Sequence, residues 1–149
     1  MFAIVAPLLL MHAAEQFDPD ASNPSSDMLD SQPFSEAALA QARAANRPVF
    51  LYFTADWCLT CKANKTLVLD REPVASALRA PVVIPMQADW TRPDETISRY
   101  LESFDRYGIP FNVVYGPEAP DGIVLPELLT AQVVMQALED AANTRVAED

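Results

Sequence analysis

Histidine and cysteine are almost absent from this chain, which holds one of the former, His12, and two of the latter, Cys58 and Cys61. Two cysteines are too few for a disulfide scaffold, so the fold must rest on a hydrophobic core. Basic residues are scarce as well: 10 Lys and Arg stand against 21 Asp and Glu, a formal charge of −11. Phosphate backbones need a basic stripe, so a nucleic-acid partner is excluded. No Lys or Arg precedes Arg43, and the apolar run from Phe2 to Met11 is too short to span a bilayer alone. There is no internal repeat, and hence no solenoid. What remains is ample apolar material: half of the 149 residues are hydrophobic, enough for one domain with an appendage.

The appendage is expected at the N-terminus. Residues 1–14 lack the basic flank of a signal peptide, and Met11 and His12 stand where small residues would precede a cleavage site. The segment is read as the tail of a transmembrane helix that begins upstream, with Met1 an internal methionine. A defective signal peptide is the second choice and a docked core segment the third. His12, with no cysteine near it, is a flanking residue. Residues 15–32 are rich in Asp, Ser, Pro and Asn, the composition of an acidic, solvated linker, with a short edge strand at Met28 and Leu29 the one exception considered.

The folded domain is expected over residues 33–149. Ser35 caps a helix from Glu36 to about Asn46, with Phe34 and Leu39 as a hydrophobic staple. The β-branched and aromatic run 49–54 reads as a buried strand, and 62–69 as a helix. Pro73 opens a further helical piece, and 82–88 forms a strand whose Pro85 argues for an edge or a bulge. Thr91 is read as the cap of a helix with Ile97, Tyr100, Leu101 and Phe104 on one face. Phe111–Tyr115 and Ile123–Leu125 form an antiparallel pair across a turn-rich link, and Thr130 caps a last helix before a frayed end. This order predicts an α/β fold: a four-stranded mixed sheet with helices on both faces.

Both cysteines fall at a strand-to-helix junction, in Trp57-Cys58-Leu59-Thr60-Cys61-Lys62. A sulfur at a helix N-terminus meets unpaired N–H groups and the positive end of the helix dipole. Both favour the thiolate, the attacking species in disulfide exchange. The second sulfur lies within one turn, close enough to form an intramolecular disulfide. A structural disulfide, or an inert buried pair, is the plainer alternative, though so short a loop constrains little of the unfolded chain. A soft-metal module is another, since two thiolates can hold Cu(I), but no third ligand is evident. A scaffold that only binds a partner is the last. Trp57 reads as an apolar lid and docking surface or as a plain core aromatic, and Asp56 as a site group or a surface charge.

The Trp-Cys-x-x-Cys-Lys motif, followed by Gly108-Ile109-Pro110 opening a later strand, resembles the thioredoxin superfamily over roughly residues 33–145. Residues 55–62, Gln87-Ala88-Asp89-Trp90-Thr91 and the Gly-Ile-Pro look like the C-terminal periplasmic domain of the DsbD family. Thr60 and the stretch 125–130 lean toward its relative in the suppressor-of-copper-sensitivity system. The resemblance implies a protein-disulfide reductase on the periplasmic side of the inner membrane, tethered there, with no cofactor and no resident metal. It would pass electrons from a transmembrane donor domain to periplasmic protein disulfides, those of cytochrome c-type biogenesis or copper tolerance among them. An oxidase or isomerase is the alternative within that class. The resemblance makes Cys58 the attacking and Cys61 the resolving cysteine, and Pro110 a cis-proline beside Cys58, with Ile109 pairing to a partner segment. Two departures stand out. Tyr52 occupies the place of a buried aspartate, and Lys65 that of a glutamate. An ammonium there would make Cys58 more acidic than in a relative with both carboxylates.

Overall fold

The computed structural model describes residues 29–142. The apolar segment 1–14 with His12, the linker up to residue 28 and the frayed end beyond residue 142 lie outside the described residues. No helix among the described residues is long and apolar enough to cross a membrane.

The sheet has five strands, not the expected four: β1 (Gln32–Pro33), β2 (Val49–Thr54), β3 (Ile84–Asp89), β4 (Asn112–Gly116) and β5 (Ala119–Val124), in the order β1-β3-β2-β4-β5. The added strand is β1, at Gln32–Pro33 and not at the Met28 and Leu29 considered for a short edge strand; it runs parallel to β3 with Gln32 opposite Met86. Two residues carry no periodicity, so pattern alone does not find them. Its anchor is Leu29, expected in the linker but 2% exposed in the core. Because β1 covers only Met86 and Gln87, Pro85 sits where β3 still has a free side. A residue without an N–H is tolerated there.

β2 is the centre, parallel to β3 and antiparallel to β4. Its first five residues are all buried because both faces are covered. Phe50 and Tyr52 point to one side, where α3 (Val74–Arg79), α5 (Ala131–Ala142) and a π-helical turn (Lys65–Leu69) pack through Val74, Leu78, Val134, Ala137 and Leu69. Val49, Leu51 and Phe53 point to the other, toward α1 (Glu36–Ala44) and α4 (Glu95–Glu102) through Leu39, Ala42, Ile97 and Leu101. The two-sided helical cover matches the sequence pattern.

Smaller differences have local causes. The link between β4 and β5 is tighter than expected: β5 begins at Ala119, and Gly116 pairs with it across the turn. Gly116 abuts α5, where a Cβ would lie 2.6 Å from the Ala141 carbonyl carbon. Pro73 sits at the N-cap of α3 behind a cis Glu72–Pro73 peptide, not in the first turn. The helix capped in the sequence reading by Thr91 is capped by Asp94, whose Oδ1 accepts the Ile97 N–H at 2.9 Å. Asp94→Ala is expected to cost about 1 kcal/mol in unfolding free energy, read by urea titration. Thr91→Ala, by contrast, should leave α4 untouched and disturb the loop described next.

Candidate active site

Four chain segments meet at one end of the sheet, because β2 and β3 end there, β4 begins there and β5 returns there. They are the turn after Thr54, the loop after Asp89, the Ile109–Phe111 stretch and the loop from Leu125 to Thr130. Backbone bonds tie them together: Trp90 N–H to Thr54 O at 2.7 Å, Phe53 N–H to Phe111 O at 3.0 Å, and Leu125 N–H to Asn112 O at 2.9 Å.

The dithiol emerges from the first of these segments. Cys58 N–H donates to Ala55 O at 3.0 Å, closing the turn, and α2 (Leu59–Asn64) follows. Cys58 is the N-cap of α2, and its Sγ accepts the Cys61 N–H at 3.2 Å. The two sulfurs are joined in a disulfide, with Cα atoms 5.3 Å apart. Cys58 and Cys61 are both buried, at 6% and 5% exposed. Accessibility does not distinguish the pair; the cap position does. The N–H that the cap receives is the one a thiolate at Cys58 would keep.

Ile109 packs against Ala55, Cys58 and Cys61, and the Ile109–Pro110 peptide is cis, as the resemblance implies. Trp57 is 59% exposed, with its ring centroid 6.3 Å from that of Trp90. It is therefore a surface aromatic beside the disulfide, not a core one. Asp56 is exposed, and its N–H donates to Thr91 Oγ1 at 3.0 Å. Thr91 Oγ1 donates in turn to Asp89 Oδ1 at 2.5 Å, which is why Thr91 does not cap α4. Lys65 begins the π-helical turn, and its Nζ lies 2.9 Å from Asp70 Oδ2. An ion pair stands there, not the lone cation on which greater Cys58 acidity was expected to rest.

Tyr52 lies on the face toward α5, its hydroxyl donating to Gln87 Oε1 at 3.1 Å and 2.8 Å from Ser31 Oγ. Opposite it on β4 is Asn112, buried, with no hydrogen-bond partner for Nδ2 among the described residues. No group of three or more His, Cys, Asp or Glu placed to hold a metal occurs among the described residues.

One residue of this region escaped the sequence reading. Asn64, buried one turn after Cys61, donates from Nδ2 to Glu127 O at 2.7 Å and accepts the Leu129 N–H at Oδ1 at 3.0 Å. The available signal was an amide at i+3 from Cys61 on the inward side of α2, where a polar side chain needs a partner.

Residues 29–117 match a family profile described as thioredoxin-like. This chain belongs to the thioredoxin-like family. It is 32% identical over 142 residues to the thiol:disulfide interchange protein DsbD of Ralstonia nicotianae, covering 93% of this chain and 23% of that protein. It is 34% identical over 82 residues to DsbD 1 of Pseudomonas aeruginosa, covering 55% of this chain and 14% of the relative. The chain thus spans less than a quarter of the length of these curated relatives. Among solved structures it resembles the C-terminal domain of Neisseria meningitidis DsbD in its oxidised form, with a TM-score of 0.56 and 24% identity over 74% of this chain and 98% of that one. The reduced form of the same domain scores equally. At that identity the likeness speaks for the thioredoxin-like fold.

Proposed function

We propose that this thioredoxin-like chain is a protein-disulfide reductase module that receives electrons from a membrane-embedded donor and delivers them to periplasmic disulfides. The observation that carries the reading is the Cys58–Cys61 disulfide at the N-cap of α2, with Cys58 Sγ accepting the Cys61 N–H and Ile109 packed against it. Similarity to DsbD proteins supports the donor, the compartment and the choice of reduction over oxidation.

In the reduced state the Cys58 thiolate attacks one sulfur of a partner disulfide. That S–S bond breaks, a mixed disulfide forms, and the departing partner thiolate takes up a proton. Cys61 then loses its proton and attacks Cys58 Sγ, displacing the second partner thiolate. The partner gains the two electrons that Cys58 and Cys61 lose; of its two protons, one balances that lost by Cys61, and the other, taken from solvent by the second thiolate, balances that which Cys58 released on ionising. Trp57 and Pro110 flank the approaching segment, and the backbone of Ile109, before Pro110, pairs with it.

The test is the reduction potential, measured by equilibrating the chain with glutathione redox buffers. A reductase is expected to sit below about −200 mV, whereas a value near about −120 mV would mark an oxidant and overturn the direction.

A further inference from the structure

Asn64 takes no part in the exchange just described, yet it and Asn112 are the buried polar residues among the described residues. Its two bonds go to the backbone of Glu127 and Leu129, the residues on either side of Leu128. One amide therefore grips the loop before α5 at both flanks of a leucine that is itself 70% exposed. The same loop is held on its other side, where Arg106 lies 3.7 Å from the Glu127 carboxylate and over the Phe111 ring at 6.0 Å. Leu128 thus stands on a shelf between the dithiol helix and the segment carrying Tyr107, Ile109 and Pro110. Trp57, Leu59 and Tyr107 add further exposed apolar surface at this end of the sheet.

We propose that Asn64 is a positioning residue that holds Leu128 out as a docking contact for protein disulfides. The occupant is the apolar chain segment flanking the disulfide to be reduced, since the loop carrying Leu128 is tied to α2 one turn after Cys61 and, through Arg106, to Phe111 next to Pro110. An anchor held in place before the encounter spares the complex the cost of ordering a loop. A small-molecule disulfide, which needs only the sulfur, gains nothing from it. This inference rests on the reductase reading and adds a determinant of partner choice.

The experiment uses the chain reduced beforehand and freed of reductant, in single turnover against insulin and against 5,5′-dithiobis(2-nitrobenzoate). In Asn64→Ala and Leu128→Ala, the ratio of the insulin rate constant to the small-molecule one is expected to fall about tenfold. The double variant should fall no further, because Asn64 acts through Leu128. Val82→Ala, exposed in the loop before β3, should match the wild type with both substrates. An unchanged ratio in Leu128→Ala overturns the proposal even if Asn64→Ala fails to fold, and so does an equal loss on both substrates in Asn64→Ala. A wild type that reduces neither substrate overturns the reductase reading itself; one that reduces both while Leu128→Ala leaves the ratio intact overturns this inference alone.

Discussion

Replacing Cys58 with serine is expected to abolish disulfide reduction, lowering the rate on the order of 10³-fold or more. Cys61→Ser should instead capture the partner as a stable mixed disulfide on Cys58. The asymmetry follows from the helix: Cys58 is the cap, with the Cys61 N–H aimed at its sulfur, whereas Cys61 sits inside the first turn. Serine at position 58 keeps the cap, and even strengthens it, so stability should be unchanged or slightly raised relative to the reduced wild type. Loss of activity in this variant would then be a loss of chemistry, not of fold. Reduced Cys61→Ser mixed with a disulfide-bonded protein and run on a non-reducing gel should show a band at the summed mass, absent in Cys58→Ser. The opposite pattern would make Cys61 the attacking sulfur. Equal activity in Cys58→Ser and wild type would leave only a binding scaffold.

The two sulfurs, the turn that presents them and the central strand before them were readable in sequence because their signals are local. A buried run of five apolar residues, a turn and a helix start stand side by side, and the cysteine spacing equals one helical turn. What escaped the reading depends on which of several possible partners each group takes. The strand β1 is two residues long and exists because β3 has a free edge to receive it. Thr91 and Asp94 are both cap residues by type, and the choice went to Asp94, the better of the two, while Asp89 and the Asp56 N–H occupy the Thr91 hydroxyl. Lys65 looked like a charge near the dithiol, but Asp70, five residues on, takes it up. Asn64 finds its partners more than sixty residues away, beyond the reach of any periodicity.

Phe53→Ala is expected to produce the largest loss of stability among single core truncations at the site end, about 3–5 kcal/mol. Phe53 is 1% exposed, and its ring lies 5.4 Å from that of Phe111, 5.5 Å from Tyr100 and 6.0 Å from Phe34. Those three rings belong to the stretch after Pro110, to α4 and to the approach to α1, so one side chain joins three elements on one face of β2. Its truncation would leave a cavity that rigid neighbouring rings cannot fill by collapse. Total stabilities of such domains are roughly 5–15 kcal/mol, so the variant should unfold at markedly lower urea. Phe53→Leu, which keeps most of the volume, should lose less than about 1.5 kcal/mol. The loss also bears on the chemistry. Thr54, the residue after Phe53, ends the strand that delivers Cys58, and Phe111 follows Pro110. The Phe53–Phe111 contact therefore joins the half of the site that carries the sulfurs to the half that flanks the partner. A truncation costing less than about 1 kcal/mol would mean that this joint is made by the backbone bond from Phe53 N–H to Phe111 O instead, and that the aromatic cluster only fills space around it.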